Sequence, residues 1–262
     1  MKGDHEDMKT IAIANFKGGT GKTATAVNLA ALLAREGKRV LLIDADAQHN
    51  STDFYCPDWE GQTLTDVLKG TADPYLKNIL ADTSYEGLQM LCADMGLLTL
   101  DLGAILNAPD VCTAYSDKRL YDLLRAAADD GIECVIIDCP PSFTASSVAA
   151  LICADEVILP VKADAFSRAG ALELIGQVRS LGSYHVAPRF RVLVTMVDRT
   201  RLSRQVIDQL RADGLDVFDA VIHSSVCVGE SSYTRLPLYE YAPRSRAAQD
   251  YEQLLREVLT DG

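Results

Sequence analysis

Two lysines lie five residues apart in NFKGGTGKTA, the segment that spans residues 15–24. The glycines beside them allow backbone N–H groups to converge on phosphate oxygens, and a helix that starts here would add the dipole of its N-terminus. Lys22 would then reach the β- and γ-phosphates of a nucleotide, and the Thr23 hydroxyl would bind Mg²⁺. The residues predicted to surround the phosphates are Gly18, Gly19, Thr20, Gly21, Lys22, Thr23 and Ala24. Lys17, the earlier lysine, has no obvious role in this loop.

The same segment also fits a second kind of nucleotide site. The strict phosphate-loop pattern GxxxxGK[ST] fails because Phe16 occupies its first glycine position, whereas GTGKTA matches GxGxxA. Asp44 lies twenty residues after Ala24, where a dinucleotide-binding fold places the acidic residue that binds ribose. On spacing alone, a dehydrogenase is a competing interpretation.

Two aspartate motifs distinguish these interpretations. The apolar run VIIDCPPS (135–142) contains Asp138 at its polar end, which is typical of the strand that supports the magnesium shell in ATPases. Asp44 and Asp46 lie two residues apart near a strand end, so their side chains are expected on one side. A dehydrogenase gives no role to Lys22 or to the second carboxylate. An ATPase that uses ATP, ADP and Mg²⁺ is therefore favoured.

Apolar runs alternate with helical patterns along the whole chain. This alternation is typical of an α/β fold in which helices cover both faces of a mostly parallel, twisted sheet. Together with the phosphate loop and the aspartate motifs, it predicts a P-loop nucleoside triphosphatase fold. The predicted strands cover 10–15, 38–46, 87–94, 133–140, 155–161, 189–197 and 215–222, and the predicted helices cover 23–37, 118–129, 143–153, 165–182, 202–213 and 246–259. One or two short helices are expected in the polar segment 49–85.

Composition sets further bounds on the chain. With 262 residues and 48% hydrophobic content, it can form a single domain, predicted over 9–262. Residues 1–8 are mostly polar and acidic and are interpreted as a disordered leader or a remnant added for expression. No signal peptide and no membrane span is predicted, so we expect a cytoplasmic protein. The seven cysteines lack a CxxC motif and are expected to be buried free thiols.

The loop and the aspartate motifs together resemble the deviant Walker A ATPases of the ParA/MinD group. The loop of that family reads KGGxGK[ST], which corresponds here to Lys17–Thr23. The segments VLLIDADAQHNST (40–52) and IIDCPPS (136–142) resemble its second motif and its Walker B segment. Segments 192–206 and 240–258 resemble the ParA/Soj branch specifically.

The resemblance implies a role for several of these residues. Lys17 would cross a dimer interface to the phosphates of the partner's nucleotide, as an arginine finger does. Asp44, with Asp138 and Thr23, would lie at the magnesium shell, and Asp46 would orient the attacking water. The chain departs from the family pattern at two positions of the second motif, with Ala47 in place of a proline and His49 in place of a glycine.

Contacts to the nucleotide base and to DNA are also implied by the resemblance. Thr195 and Met196 are the candidates for base contact. The ParA/Soj branch binds DNA nonspecifically as an ATP dimer through surface arginines, and the candidates here are Arg199, Arg201 and Arg204. Two arginines expected in the family are replaced by Ser224 and Cys227. This replacement and the net charge of −12 predict weak, salt-sensitive DNA binding.

The sequence therefore predicts a ParA-like ATPase, an ATP-dependent dimerisation switch in plasmid, chromosome or mobile-element partitioning. It would hydrolyse ATP slowly, answer to a ParB-like activator protein, and associate with the nucleoid if DNA binding is retained. The apolar face of the C-terminal helix is predicted to pack in the core rather than on a membrane. Two alternatives stay open. One is a related switch that positions a protein cargo without DNA, and the other is a metabolic P-loop enzyme that modifies a small molecule.

Overall fold

The structure is a computed structural model that describes residues 8–100, 109–164, 167–181 and 188–260. Of the predicted leader 1–8, all residues except Met8 lie outside these ranges. The strands are β1 (Lys9–Ile13), β2 (Val40–Asp44), β3 (Ala81–Asp82), β4 (Leu88–Leu91), β5 (Cys134–Asp138), β6 (Glu156–Lys162), β7 (Arg189–Val197) and β8 (Val217–His223). The helices are α1 (Lys22–Arg35), α2 (Asn50–Tyr55), α3 (Leu64–Lys69), α4 (Pro109–Asp129), α5 (Ala145–Cys153), α6 (Ser167–Leu181), α7 (Arg201–Ala212), α8 (Val226–Thr234), α9 (Leu238–Tyr241) and α10 (Arg246–Thr260).

Within the described ranges the strands form one sheet in the order β3-β4-β2-β5-β1-β6-β7-β8. All neighbouring strands are parallel except β3, which pairs antiparallel with β4. Strand β1 is central, and the chain leaves it in one direction through β2 and returns on its other side at β6. In open parallel sheets, ligands bind beyond the carboxyl ends of the strands where the order reverses. The predicted α/β fold is confirmed.

Side chains on successive residues of each strand point to opposite faces, and both faces are buried. On β2, Leu41 and Ile43 join one apolar cluster with residues of α3 to α7. Val40 and Leu42 join a second cluster with residues of α1, α2, α9 and α10. The sheet is therefore covered by helices on both sides, which explains why its strands are almost continuously apolar.

Helix α10 packs into the second cluster through one face, as the sequence predicted. Tyr251, Leu254, Leu255 and Val258 are almost fully buried there. Leu259, which the helical periodicity also placed on the apolar face, is 40% exposed. Packing against the core therefore explains why apolar residues recur at helical spacing in α10.

Among the described residues, helix α4 is already present at Pro109, nine residues before the predicted start at residue 118. Helices α8 and α9 and strand β3 were not predicted.

His49 has φ 45° and ψ 36° and lies immediately before α2. This is the left-handed region, which glycine adopts freely and other residues adopt at a cost of about 1–2 kcal/mol. The strain falls on one of the two positions at which the sequence departs from the family pattern. The backbone there keeps a conformation suited to glycine although a histidine is present.

Replacing His49 by glycine tests this strain. Glycine costs about 0.5–1 kcal/mol relative to alanine within a helix or strand because it loses more chain entropy on folding, and the 3.2 Å hydrogen bond between His49 Nδ1 and Asp53 Oδ1 would be removed. Because strain relief offsets both losses, we expect His49→Gly to be at least as stable as the parent in urea unfolding. Gln48→Gly, at an exposed neighbour with negative φ, is the matched control and should be about 1 kcal/mol less stable than His49→Gly. Equal losses in both variants would show that His49 is not strained.

Candidate functional site

The glycine-rich loop connects β1 to α1 at the carboxyl end of the central strand. Gly19 and Gly21 have φ of 70° and 90°, values that other residues rarely adopt. The loop is held at both ends by side chains. Asn15 Nδ2 donates to the Pro160 carbonyl at 2.7 Å, and Thr195 Oγ1 donates to the Thr20 carbonyl at 2.8 Å. These two hydrogen bonds fix the position of the loop relative to β6 and β7.

Lys22 lies inside the loop and is only 8% exposed. Its Nζ donates to the Lys17 carbonyl at 3.3 Å. Burial lowers the pKa of Lys22 below its ordinary value, and the carboxylates of Asp138 and Asp46 oppose that change. A phosphate at this position would supply the anionic partner that a buried ammonium needs.

Asp44 and Asp138 lie directly opposite each other at the ends of β2 and β5. Both are buried. Asp44 Oδ2 accepts hydrogen bonds from the Thr52 backbone N and Oγ1, both at 2.9 Å, and Asp44 Oδ1 accepts from the Asp46 backbone N at 3.1 Å. Asp138 Oδ2 accepts from Ser51 Oγ at 2.6 Å. The other oxygen, Asp138 Oδ1, is buried and has no hydrogen-bond partner within the part of the chain that the structure describes.

Burial raises the pKa of both carboxyls. Burial, and then the charge of Asp138, raise the pKa of Asp44 to about 8, although hydrogen bonds from Thr52 and Asp46 oppose the rise. Burial raises the pKa of Asp138 to about 6, and the hydroxyls of Ser51 and Thr23 oppose it. Two adjacent carboxylates in a buried site are therefore costly to ionise together without a cation.

These residues fit a magnesium ion. Mg²⁺ prefers oxygen ligands and usually combines one or two carboxylates with waters and substrate phosphates. Thr23 offers a hydroxyl, and Asp138 offers a buried oxygen that lacks a partner among the described residues. Within the described ranges, no three or more His, Cys, Asp or Glu side chains are grouped so that they could hold a metal by themselves. An ion at this site would therefore depend on oxygens from the nucleotide and from water.

Asp46 follows β2 and is partly exposed. Its Oδ1 accepts from the Gln48 backbone N at 2.9 Å, and its carboxylate acts on the pKa of Lys22. The structure thus brings Asp46 near the residues predicted to surround the phosphates, on the segment that joins β2 to α2.

Lys17 lies on the outside of the same loop. Its Nζ is 2.9 Å from Asp164 Oδ2, and its side chain is 45% exposed. Its backbone N donates to Asn15 Oδ1 at 2.9 Å. The two lysines of the loop thus occupy different places, one buried inside it and one on the surface.

The candidates for base and DNA contact lie at and after the end of β7. The Thr195 side chain is buried, and its hydroxyl is engaged with the loop. Met196 has φ 50°. Arg199, Arg201 and Arg204 are all exposed, and helix α7 begins among them with Thr200 as its N-cap.

Sequence reasoning missed Ser51, Thr52 and Asp164. Ser51 and Thr52 occupy the first turns of α2 and hold the two buried carboxylates. A signal was present, because two hydroxyl residues follow the DAD motif within the segment that resembles the family. Asp164 had no such signal, since its contact with Lys17 spans 147 residues.

The pH dependence of stability tests the carboxylate pair. Both folded pKa values, about 8 and about 6, exceed those of the unfolded chain, about 3.9. The folded protein therefore binds more protons than the unfolded chain in this window, and its stability falls as pH rises from about 4 to about 8. In protein free of metal and nucleotide, we expect the melting temperature to fall by about 5 °C or more between pH 5 and pH 8.

Asp44→Asn should remove most of that slope, and Asp58→Asn, at an exposed carboxyl, should leave it unchanged. Calorimetry across the pH range makes the measurement. An Asp44→Asn variant with the slope of the parent would contradict the proposed cost of burying both charges.

Comparison with known proteins gives consistent results. A family model described as "AAA domain" matches residues 8–190. The sporulation initiation inhibitor protein Soj of Bacillus subtilis is 36% identical, and the alignment covers 97% of this chain and 99% of that protein. The chromosome partitioning protein ParA of Caulobacter vibrioides is 38% identical, with 97% and 94% covered.

Solved structures agree on the fold. A Cyanothece McdA variant in complex with ATP superposes with a TM-score of 0.80 at 24% identity, covering 97% of each chain. Cobyrinic acid a,c-diamide synthase of Mycobacterium smegmatis with bound ADP and magnesium has a TM-score of 0.77 at 26% identity, covering 96% of this chain and 94% of that one.

None of the helices in the described ranges is both long enough and apolar enough to cross a membrane. Because its similarity to Soj and ParA extends over nearly the whole sequence, this chain belongs to the ParA/Soj family of P-loop ATPases.

Proposed function

We propose that this ATPase is a dimerisation switch in the partitioning of a plasmid, chromosome or mobile element. In this proposal ATP with Mg²⁺ promotes pairing of two copies, the paired form binds DNA nonspecifically, and slow hydrolysis releases it. The chain is further proposed to be one domain over residues 9–262 and to answer to a ParB-like activator.

One observation carries the proposal, namely the separate positions of the two loop lysines. Lys22 is buried within its own loop, whereas the Lys17 side chain is about half exposed and bound to Asp164 on the surface. An enzyme that acts as a monomer needs only the first lysine. A surface ammonium beside the nucleotide loop is suited to reach a phosphate held by a second copy.

The geometry of the phosphate loop and of the buried carboxylates supports the roles proposed for them. Lys22 would bind the β- and γ-phosphates, and Thr23 and Asp138 would hold Mg²⁺ with the support of Asp44. Bound Mg²⁺ would neutralise phosphate charge as it shifts during transfer. Ser51 keeps Asp138 Oδ2 occupied, so that Oδ1 is the oxygen left for the metal or for a water bound to it.

Asp46 is proposed to orient the attacking water. Its carboxylate is partly exposed and acts on Lys22, and it is not confined between two strands as Asp44 is. A carboxylate in that place can accept a hydrogen bond from a water without the cost of full burial. Thr195 and Met196 are proposed to contact the base, Thr195 through atoms other than its engaged hydroxyl.

DNA binding is proposed for the arginines around the start of α7. Arg199, Arg201 and Arg204 are exposed, and phosphate contacts from guanidinium groups fix a protein on DNA without reading its sequence. A dimer would carry two such groups of arginines. The affinity should be low, because the chain has a net charge of −12 and has Ser224 and Cys227 where the family has arginines.

A second candidate function is a switch that positions a protein cargo. The surface near those two replaced positions is partly apolar, since Val226 and Tyr233 are 79% and 90% exposed. Apolar groups at a surface favour a protein partner over DNA. A third candidate is a metabolic enzyme, because the synthase with bound ADP and magnesium shares the fold. Such an enzyme would not need Lys17.

Lys17→Ala tests whether pairing depends on the exposed lysine. We combine it with Asp46→Ala, which should slow hydrolysis and retain ATP. Light scattering should show that Asp46→Ala alone forms dimers with ATP and monomers with ADP. The double variant should stay monomeric with ATP because the partner's phosphates lose a cation.

Lys77→Ala, at an exposed lysine on another surface, is the matched control and should still pair. In the wild-type background, Lys17→Ala should lower ATP turnover at least tenfold, since a cation delivered in trans contributes about 10³-fold or more in related reactions. Normal turnover by a monomeric Lys17→Ala variant would instead identify a metabolic enzyme.

The arginine group is tested by replacing Arg199, Arg201 and Arg204 together with alanine. In gel shifts with ATP at low salt, we expect at least tenfold weaker DNA binding. The slope of log affinity against log salt should become shallower by about 0.9 for each DNA phosphate that the variant no longer neutralises.

The control replaces three other exposed arginines, Arg125, Arg179 and Arg256, so that the change in net charge is the same. Binding reduced equally in both triple variants would mean that only net charge matters. If the parent itself fails to bind DNA as an ATP dimer, the protein-cargo function replaces DNA partitioning.

A further inference from the structure

Two cysteines face each other beside the magnesium site. Cys56 directly follows α2 and Cys92 directly follows β4. The two side chains affect each other's pKa, and both residues belong to the same apolar cluster. Cys92 is fully buried, whereas Cys56 is 9% exposed. The two cysteines are therefore neighbours that the core shields from solvent. An oxidant would reach the pair through Cys56, the more exposed of the two.

The backbone around the two thiols is held together by Thr52. The Cys56 backbone N donates to the Thr52 carbonyl at 2.7 Å. The Ala93 backbone N donates to Thr52 Oγ1 at 2.9 Å, and that same hydroxyl donates to Asp44 Oδ2. Cys56 consequently lies one helical turn after Thr52, the residue that donates to the buried carboxylate of Asp44.

The two thiols differ in reactivity. Hydrogen bonding from Cys92 lowers the pKa of Cys56, whereas the same contact and burial raise the pKa of Cys92. A thiolate is the species that attacks a peroxide. The more accessible cysteine is thus also the one that ionises first, and the buried one is placed to react with its oxidised product.

We propose that Cys56 and Cys92 are a reversible redox site, in which a disulfide joins α2 to the end of β4 and lowers ATP turnover. The oxidant is a hydroperoxide. With hydrogen peroxide, the Cys56 thiolate attacks one oxygen and the O–O bond breaks, which gives a sulfenic acid and hydroxide. The Cys92 thiol then attacks the sulfenic sulfur, which forms the disulfide and releases water. The hydroxide combines with the proton that Cys56 lost when it ionised, which gives the second water. In sum, two thiols and one peroxide give one disulfide and two waters.

The effect on turnover follows from what α2 carries. Ser51 and Thr52 hold Asp138 and Asp44, and the segment before α2 carries Asp46. A covalent link at Cys56 restrains this helix against the sheet. Because enzyme turnover depends on small movements of such segments, the cross-linked protein should bind nucleotide but hydrolyse it more slowly. This effect rests on the ATPase role proposed for Asp46, whereas formation of the disulfide does not.

The full-length reduced protein is treated with hydrogen peroxide, alkylated and digested without reductant. We expect a peptide pair joined through Cys56 and Cys92, and ATP turnover reduced about fivefold, in line with a restrained conformational step. Dithiothreitol should restore turnover. Cys56→Ser and Cys92→Ser should keep their turnover under peroxide, and Cys56→Ser should match the untreated parent.

Cys134→Ser is the matched control, since Cys134 is also 9% exposed and lies on β5. It should form the disulfide and lose turnover as the parent does. Oxidation of Cys56 to a sulfinic acid without a cross-link, a different cysteine pair, or unchanged turnover in the cross-linked protein would overturn the proposal. A loss of turnover in unoxidised Asp46→Ala separately checks the role of Asp46. Failure of the redox proposal can therefore be distinguished from failure of the proposed ATPase mechanism.

Discussion

The burial of two neighbouring carboxylates is the constraint on which the rest of this site depends. Parallel pairing of β2 with β5 puts Asp44 opposite Asp138, and helices on both faces of the sheet keep water away from them. Donors from α2 satisfy most of their oxygens, but Asp138 Oδ1 is left without a partner among the described residues. A divalent cation that arrives with a nucleotide would meet this need. The fold therefore provides an energetic reason for the divalent cation and the nucleotide to bind together.

Helix α2 connects that buried pair to the surface. Its first turns donate to both carboxylates, its N-terminal side carries Asp46, and its C-terminal end carries Cys56. The strained backbone of His49 lies just before it. A six-residue helix has little stability of its own, so its position is set by these contacts. A change at the proposed magnesium site, at Asp46 or at the thiol pair would therefore alter the surroundings of the other two.

Much of this arrangement could be predicted from sequence, and the reasons for the rest are physical. The loop glycines, Lys22 and the strand-end aspartates are local patterns, and the strands between them are nearly continuous apolar runs. Helix α8 was missed because it buries little besides Ser231 and so has no apolar periodicity. Asp164 meets Lys17 only because β6 ends beside the loop, and a contact between residues so distant in sequence has no local signal. The predicted helix start at residue 118 was wrong, since α4 already includes Pro109.

The two lysines differ in how the chain holds them, and in the proposed dimer this difference would let nucleotide state control pairing. Lys22 is buried with its carbonyl partner and its nearby carboxylates, so it cannot leave the loop without a large loss of stability. Lys17 is held by a partly exposed ion pair with Asp164, and such pairs contribute only about 0.2–1 kcal/mol. A triphosphate in a second copy would carry more negative charge than one carboxylate. In the proposed dimer, Lys17 would exchange Asp164 for that triphosphate, whereas a diphosphate would offer less charge to offset the broken ion pair.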